Sequence, residues 1–261
     1  MKDASETAKL SAPTVSDEIY GFDSELRTPR SLRKRIKAGL GAMLPSSHTL
    51  KLLAHWADLR VWRNTHLTPS TPVYANRYAL YEVLIHKHLP ETFAYMEFGC
   101  ASGEVVRRWA GNVPGKDCRF YGFDTFTGMP EEWRGLGWRV EKGTWSQNGE
   151  IPQEEDQRIA YVAGRFQDSL PSFLEESRVL EKFDHFVIHI DADLYSSALY
   201  VLTMLHSVMD RATVLFDEFD CQLDEMKALE DYCRSYSMTY DVIGTADACE
   251  KLAIRFKPAS D

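Results

Sequence analysis

The sequence predicts an α/β fold built around a mostly parallel β-sheet. From about residue 90 onward, short apolar runs alternate with helical stretches, which is typical of parallel strands joined by right-handed helical crossovers. The last two runs, YDVIGT (240–245) and EKLAIRF (250–256), lie too close together for such a crossover, so we expect an antiparallel last strand. Before residue 90 the apolar residues follow a helical period, which predicts a helical N-terminal cap.

The N-terminal region divides into a leader and this cap. Residues 1–25 are polar and include acidic side chains, which is atypical of a secretory signal or a transit peptide, so we expect a flexible leader there. Residues 26–90 form the predicted cap, and residues 91–261 form the α/β domain. The apolar positions that mark two helices in the cap are Leu50, Leu53, Trp56 and Leu59 in the first and Tyr78, Tyr81, Leu84 and Ile85 in the second.

Five buried strands are predicted in the α/β domain, each an apolar run bounded by turn residues. They are FAYMEFG (93–99), RFYGFD (119–124), IAYVAG (159–164), HFVIHID (185–191) and ATVLFDEF (212–219). The segment between the second and third strands is long, glycine-rich and contains Trp133, Trp138 and Trp145. Because long compact loops commonly cover functional sites, we expect a lid, with an idle surface insertion as the alternative.

The composition is that of a soluble globular protein, with 44% hydrophobic and 26% charged residues. No apolar run approaches the roughly 20 residues of a membrane span. Five cysteines without a CxxC pair argue against a disulfide framework or a structural zinc site, so we expect a cytoplasmic protein. The basic segment RSLRKRIKAGL (30–40) lies in a chain of net charge −9, which repels polyanions. We expect neither nucleic acid nor a membrane as a partner.

A glycine-containing turn, EFGCASGE (97–104), follows the first strand and opens a helix. Its glycines permit a tight turn and close approach of a ligand. Ala101 replaces the middle glycine of the dinucleotide-binding fingerprint. Glu97 precedes the glycines, and Asp124 ends the next strand, where an acid can bind ribose hydroxyls. Because acids around the turn suit a ligand with an ammonium group better than a pyrophosphate, the sequence favours S-adenosylmethionine (SAM) over NAD.

Polar residues also follow the third strand, in the stretch AGRFQDSLPSFL. Phe166, Gln167, Asp168 and Ser169 are candidates to line the adenine of SAM. The alternative is that Asp168 or Ser169 caps the following helix, and both roles are compatible.

Three carboxylates end the fourth and fifth strands. Asp191 ends the fourth strand, and Asp217 and Glu218 end the fifth, with room for one helical crossover between them. The carboxylates should therefore meet at one edge of the sheet, where they repel each other unless a cation lies among them. Hard oxygen ligands suit Mg²⁺ or a similar ion. The sequence thus favours a divalent metal site, the alternative being that the turn after Asp191 only caps a helix.

At these stretches the chain resembles the class I SAM-dependent methyltransferases, which have a Rossmann-like sheet. More specifically, it resembles the macrocin O-methyltransferase family, whose members methylate sugar hydroxyls during antibiotic tailoring. The resemblance rests on EFGCASGE, FYGFDTFTGMPEEW, GRFQDSLPSFLEE, HIDADLYSSALYVL and LFDEF, which occur in that order. It covers about residues 70–256.

The resemblance implies a set of SAM-binding residues: Glu97, Gly99, Cys100, Ala101, Gly103, Asp124, Thr125, Phe166, Gln167, Asp168, Ser169 and Asp191. It also implies Mg²⁺ or a similar cation held by Asp191, Asp217 and Glu218, although the family usually has Asp where Glu218 stands. Sugar-methylating members carry a histidine in the lid region, and this chain has no histidine between His88 and His185. The catalytic base is therefore unassigned. Asp191 is a candidate, but a metal-bound carboxylate is a weak base, and His189 is interpreted as a core residue.

We therefore expect a Mg²⁺-assisted, SAM-dependent O-methyltransferase acting on a hydroxyl of a small molecule, either a sugar or a natural-product intermediate. One alternative is a methyltransferase for a different acceptor, such as an amino-acid derivative or a phenol. Another is a SAM-binding protein without catalytic activity, and a third is an NAD-dependent oxidoreductase. Homo-oligomerisation is expected because the N-terminal helices have more apolar surface than one domain covers.

Overall fold

The computed structural model describes residues 47–135, 138–221 and 223–258, together with Gly39 and Gly41. The compact unit described below is the second unit, Ser47–Asp261. The predicted leader and the first part of the predicted cap, including the basic segment 30–40 apart from Gly39, lie outside the described residues. Among the residues described, no helix is long and apolar enough to cross a membrane.

The second unit begins with helices and continues with alternating strands and helices, as the sequence predicts. In chain order the elements are α1 (Ser47–His66), β1 (Val73–Tyr74), α2 (Arg77–Val83), β2 (Ala94–Phe98), α3 (Glu104–Asn112), β3 (Arg119–Asp124), β4 (Trp133–Arg134), β5 (Arg139–Val140), β6 (Ile159–Ala163), α4 (Phe166–Ser177), α5 (Val179–Lys182), β7 (Phe186–Ile190), α6 (Tyr195–Met204), β8 (Ala212–Phe216), α7 (Glu225–Tyr236), β9 (Met238–Ala246) and β10 (Lys251–Pro258). A π-helical turn, Leu84–His88, extends α2, and 3₁₀ turns at His206–Arg211 and Asp247–Cys249 precede β8 and β10.

Eight strands form one sheet in the order β1-β9-β10-β8-β7-β2-β3-β6, and β4 and β5 form a separate antiparallel pair. The five strands β6, β3, β2, β7 and β8 are parallel to their neighbours in this series. The last strand, β10, runs antiparallel between β8 and β9. The predicted Rossmann-like sheet with an antiparallel last strand is thereby confirmed. The two-residue edge strand β1, which pairs with β9, was not predicted.

The order of the parallel strands reverses between β2 and β7. From β2 the chain proceeds to β3 and β6 on one side, then crosses to β7 and β8 on the other. Residues 94–98 of β2 pair with both neighbours, so Phe98 lies beside Phe123 and Ile190 at the carboxyl ends. Open parallel sheets bind ligands beyond the carboxyl ends of their strands at such a reversal, which places the expected site at this edge.

Both faces of the sheet are covered, and every residue of β2 and β7 is buried. One hydrophobic cluster includes Phe98, Ile188 and Phe216, and a second includes Tyr95 and Trp109. Complete burial of such side chains stabilises the fold by roughly 1.5–3 kcal/mol each. Glu97 and His189 are the two polar exceptions within these strands, and they belong to the site described below.

The first predicted helix is confirmed as α1, but its buried face differs from the predicted one. Leu59 and Trp62 are buried, whereas Leu53 and Trp56 are about half exposed. Trp62 packs against Phe219, and its indole Nε1 donates a hydrogen bond of 2.6 Å to the hydroxyl of Tyr240. The apolar period therefore located the helix correctly, while the described residues leave part of its apolar surface uncovered.

Candidate functional site

A cavity of about 270 Å³ opens at the carboxyl ends of the parallel strands, where the strand order reverses. Six of the predicted SAM-binding residues line it: Gly99, Asp124, Thr125, Phe166, Gln167 and Asp191. They come from the ends of β2, β3 and β7 and from the start of α4, so the sheet topology brings together residues that are far apart in sequence. The remaining predicted residues are not part of the cavity lining and are described in turn.

The glycine turn after β2 is shaped by two close contacts. Gly99 has φ +102°, and a Cβ at this position would lie 1.8 Å from the carbonyl oxygen of Asp191. Gly103 has φ +76°, and its Cβ would lie 2.1 Å from the hydroxyl of Tyr161. Only glycine fits at either place. Gly99 thus lets the ends of β2 and β7 meet at the cavity. Gly103 instead packs against Tyr161, and the side chain of Cys100 is buried.

Asp124 anchors the turn with both carboxylate oxygens. Its Oδ2 accepts a hydrogen bond of 2.8 Å from the backbone N–H of Ala101, and its Oδ1 accepts one of 2.8 Å from the N–H of Phe126. Ala101 has a left-handed backbone, with φ +42°. Each carboxylate oxygen retains a further lone pair. Asp124 can therefore fix the turn and accept hydrogen bonds from a ligand at the same time.

Four residues at the turn between β6 and α4 are predicted to line the adenine, and only two of them line the cavity. Phe166 and Gln167 line the cavity, but Asp168 and Ser169 do not. The backbone N–H groups of Asp168 and Ser169 both donate 2.9 Å hydrogen bonds to the carbonyl of Arg165, and the Ser169 hydroxyl donates to the same carbonyl. Neither side chain caps the helix. The structure places these two residues in the first turn of α4, away from the cavity surface.

An acidic cluster lines the cavity beside the end of β7. Oxygen atoms of Asp191, Asp193 and Glu218 lie within 4.8 Å of one another, and Asp191 and Asp193 line the cavity. Burial and the charge of Glu218 raise the pKa of Asp193 to about 8, and burial raises the pKa of Glu218 to about 7. Burial and the charge of Asp217 raise the pKa of Asp191 well above its usual range. Raised pKa values of this kind are typical of a site that favours a positive charge.

The backbone at Asp193 is also unusual. It has a positive φ of 58°, which is uncommon for non-glycine residues as a whole but is adopted by aspartate more readily than by most. The three carboxylates offer the hard oxygen donors that Mg²⁺ prefers, so the residues present fit a divalent cation. The predicted set has Asp217 where this group has Asp193, and Asp217 belongs to a second possible group with His189 and Asp191.

The protein's own cations surround Asp217. Nη1 of Arg77 and Nζ of Lys251 each lie 3.0 Å from its Oδ2, and Nε2 of His189 lies 3.5 Å from its Oδ1. Burial alone would raise the pKa of Asp217, but His189, Lys251 and Arg77 together hold it well below its usual range. A second possible metal group, His189 with Asp191 and Asp217, would have to compete with these contacts.

A buried chain of hydrogen bonds runs beneath the cavity. The hydroxyl of Tyr95 donates a bond of 2.6 Å to Oε2 of Glu97 and lies 2.8 Å from Nδ1 of His189. Burial raises the pKa of Glu97 to about 7, although His189 and Tyr95 oppose this shift. Glu97 is 1% exposed and does not line the cavity. The predicted SAM-binding acid therefore lies under the site as part of a polar network that also contains the predicted core residue His189.

Glu225, the first residue of α7, is a completely buried carboxyl group behind the cluster. Its Oε2 accepts a hydrogen bond of 2.9 Å from the backbone N–H of Glu218, while its Oε1 has no partner within the described part of the chain. Burial raises its pKa well above the usual range. Glu225 therefore holds the backbone that carries Glu218.

The predicted lid segment packs over the acidic end of the site. Trp133 is buried with Met129 and Leu194, and its Nε1 donates a 2.9 Å hydrogen bond to Asp224. Trp138 and Trp145 contact Trp133 edge-on or tilted but remain about half exposed. The segment also lines the cavity through Gly128, Met129, Pro130, Glu131 and Trp145. The position of the segment over the cavity agrees with the expected lid.

Several functional candidates were not predicted from the sequence. Lys251 and Tyr81 contact Asp217 from β10 and α2, and four further residues, Arg165, Ala192, Ser196 and Ser197, line the cavity. Asp193 could have been selected, because it follows Asp191 by two residues in the same turn. Lys251 carries no such local signal, since its proximity to Asp217 depends on how β10 is inserted into the sheet.

No protein-family model matches the chain, and no curated protein matches it. Among solved structures, the chain is similar to CalS11, a calicheamicin methyltransferase, at 18% identity over 97% of this chain and 99% of that one, with a TM-score of 0.46. It is similar to the O-methyltransferase NovP at 17% identity, covering 69% of this chain and 76% of that one, with a TM-score of 0.45. SAH-bound PaMTH1 of Podospora anserina gives 15% identity over 90% and 97% of the two chains, with a TM-score of 0.44. These likenesses are remote, so the function is argued from the site itself.

Proposed function

We propose that this protein is a SAM-dependent methyltransferase that transfers a methyl group to a hydroxyl of a small molecule. The observation that carries the proposal is the arrangement of the cavity at the strand-order reversal. Asp124, Gly99 of the glycine turn and the carboxylates of Asp191 and Asp193 all line it. An acid able to bind a ribose, together with further carboxylates in the same cavity, suits a ligand that joins a nucleoside to a cationic sulfonium and ammonium.

The same turn argues against a dinucleotide. A pyrophosphate would lie at the N-terminus of α3, where free backbone amides bind anions. Glu104 is the first residue of α3, so its carboxylate would face the phosphates. Ala101 also stands where the dinucleotide fingerprint has glycine. SAM avoids both conflicts because it has no phosphate.

The acidic cluster and the lid support an acceptor with a hydroxyl group. Direct in-line transfer forms the C–O bond as the C–S bond breaks, and the hydroxyl proton passes to a base. Asp191 is the base predicted from the sequence, and Asp193 lies in the same cavity. Because both carboxylates are also proposed cation ligands, either would be a weak base while a cation is bound. The lid tryptophans would exclude water from the acceptor and hold it in line with the methyl group.

We also propose that Mg²⁺ or a similar cation binds to Asp191, Asp193 and Glu218. These oxygens fit such an ion, and a bound cation would lower the pKa of an acceptor hydroxyl near it. The acceptor class is open between a sugar, another natural-product intermediate, an amino-acid derivative and a phenol. A SAM-binding protein without catalysis is the alternative, since the same acidic cavity would also suit a SAM that is bound but not consumed.

The test is calorimetric titration of SAM and of NAD into the purified protein, with and without Mg²⁺. We expect SAM to bind and NAD not to bind, and we expect a panel of hydroxyl-bearing acceptors to include one that is methylated. Absence of SAM binding would refute the proposal. SAM binding without methylation of any sugar, phenol or amino-acid acceptor would favour the non-catalytic alternative.

A further inference from the structure

A second cavity, of about 450 Å³, opens at the opposite end of the sheet, where β7 and β8 begin. Its charged lining is predominantly basic. Lys87, His88, His185, Arg211 and Arg255 line it, and Asp210 is the acid among the lining residues. Nothing in the proposed methyl transfer uses this cavity, because SAM and acceptor are placed at the carboxyl ends of the strands.

The basic residues come from separate parts of the chain. Lys87 and His88 lie in the π-helical turn after α2, His185 immediately precedes β7, and Arg211 immediately precedes β8. Arg255 lies in β10, where it pairs with Thr213 of β8. The sheet topology thus brings together cationic side chains from distant parts of the sequence. The charged face of a solvated helix differs, because all of its charged residues belong to one element.

Carboxylates do not neutralise these two arginines within the described residues. Nη2 of Arg255 donates to the carbonyl of His88 at 2.9 Å and lies 3.5 Å from Oγ1 of Thr213. Its Nε is buried and has no acceptor in the same described part. The Arg211 guanidinium donates to the carbonyls of Phe183 and Leu180. Both arginines are thereby fixed in place by neutral groups, and both keep N–H donors for a further acceptor.

The histidines show the positive character of the cavity. Burial and the charge of Arg255 lower the pKa of His185 to about 4, and burial, Arg255 and Lys87 lower the pKa of His88. Both rings are therefore neutral near pH 7. The lining then holds three positive charges, from Lys87 and the two arginines, against the single negative charge of Asp210, which leaves a local charge of +2. This local charge opposes the net charge of −9 of the chain.

We propose that this basic cavity binds a phosphate-type oxyanion, either free phosphate or the phosphate of a monoester. A dianion matches the +2 charge of the lining residues, and planar guanidinium groups bind phosphate oxygens through paired hydrogen bonds. The hydrogen bonds of Arg255 use its Nη2, which leaves the N–H donors of Nη1 for the anion, and the flexible ammonium group of Lys87 supplies a second positive charge at the exposed edge.

Calorimetric titration of inorganic phosphate into the full chain tests the site. We expect one binding site whose affinity falls about tenfold in Arg255→Gln, the loss typical of one charge-assisted hydrogen bond. Lys87→Gln, which changes an exposed side chain, should also weaken binding. Lys257→Gln is the matched control: it lies on the same strand, outside the cavity, and pairs with Asp241. Acetate, with a single charge, should bind more weakly than phosphate.

A second measurement follows the titration of His185 by NMR. Bound phosphate should raise the pKa of this histidine in the wild type, and the shift should shrink in Lys87→Gln. Co-sedimentation with phosphatidic acid vesicles distinguishes a lipid headgroup from a soluble phosphate as the source of the anion. The inference is wrong if the wild type binds no phosphate, or if Arg255→Gln and Lys87→Gln bind it as well as Lys257→Gln does. Loss of phosphate binding leaves SAM binding intact, so this test is independent of the methyltransferase proposal.

Discussion

The ammonium group of Lys251 lies 3.0 Å from Oδ2 of Asp217 and 3.4 Å from Oε2 of Glu218. Its Nζ also donates to the backbone carbonyl of Asp217 at 2.6 Å. The side chain of Lys251 is buried, as is that of Asp217. A protein cation therefore occupies the place among the strand-end acids where the sequence led us to expect a metal ion beside Asp217.

Lys251 should consequently be required for stability. Burial alone would lower its pKa, but Asp217, Glu250 and Glu218 reverse the effect and raise it. Replacing Lys251 with Met leaves Asp217 with Arg77 as its nearest remaining arginine or lysine. Removing one partner of a buried ion pair costs about 3–5 kcal/mol of stability. We expect the free energy of unfolding to fall by an amount near the lower end of this range, because Arg77 remains beside Asp217. Urea unfolding of the variant and the wild type at pH 7 measures this difference.

The matched control is Lys257→Met on the same strand. Lys257 pairs with Asp241 on the surface, and exposed pairs contribute about 0–1 kcal/mol. Equal losses in the two variants would show that Lys251 contributes no more than a surface lysine.

The ligand set of the cation site gives a second prediction. Asp193→Asn should weaken Mn²⁺ binding at least about tenfold, because it removes a carboxylate of the Asp191, Asp193 and Glu218 cluster. Asp217→Asn should change Mn²⁺ affinity less, since Arg77 and Lys251 already engage that carboxylate. Electron paramagnetic resonance of free Mn²⁺ provides the measurement without any need for an acceptor. If Asp217→Asn weakened Mn²⁺ binding more than Asp193→Asn does, the ligand set predicted from the sequence would be favoured instead.

Some of the residues predicted to bind SAM line the cavity and others do not, and this difference gives a third prediction. Asp124→Asn should lower SAM affinity by about tenfold or more, because the change removes the charge proposed to accept hydrogen bonds from the ribose hydroxyls and disturbs the bond from Ala101. Asp168→Asn is the control. Asp168 lies one position beyond the cavity-lining Gln167, and its change should leave SAM affinity within about threefold, a difference smaller than one hydrogen bond. Calorimetry of both variants decides whether the resemblance or the cavity better identifies the binding residues.

The sheet itself was predictable because each buried strand carries its own signal. Val187, Ile188 and Ile190 belong to one apolar run, and the alternation of such runs with helices then determines a parallel sheet. The short spacing before Lys251 indicated the antiparallel last strand. The edge strand β1 has only two residues, Val73 and Tyr74, which is too short for any periodic pattern. Its pairing with β9 depends on tertiary packing, which the sequence around Val73 and Tyr74 does not indicate.

The positions of site residues could be predicted where they depend on where a strand ends. They could not be predicted where they depend on the pairing register between two strands. Asp124 and Asp191 follow directly from the rule that parallel strands end at one edge. Lys251 reaches Asp217 because Leu252 pairs with Phe216 across β10 and β8, which places the preceding residue of one strand opposite the following residue of the other. No local pattern in the chain indicates that register. The charge balance around Asp217 was therefore beyond sequence reasoning.

The buried Glu97 gives a prediction for the pH dependence of stability. Burial raises its pKa in the folded protein to about 7, whereas an unfolded glutamate titrates near its ordinary value of about 4.3. Between these two pH values the folded state retains a proton that the unfolded state has lost. The free energy of unfolding therefore falls as the pH rises through this window, and the full penalty, roughly 3.7 kcal/mol, is present above about pH 8.

Glu97→Gln should remove that penalty, because a neutral amide can still accept the hydrogen bond from Tyr95. We therefore expect the stability of the variant relative to the wild type to increase by about 1–3 kcal/mol between pH 5 and pH 8.5. Urea unfolding of both proteins at the two pH values measures the difference. The control is Glu91→Gln in the exposed segment before β2, which removes a carboxyl outside the network of Tyr95, Glu97 and His189 and should change stability equally at both pH values. If Glu97→Gln behaves in the same way as this control, Glu97 is ionised in the folded protein at no cost, and the network beneath the cavity already compensates its charge.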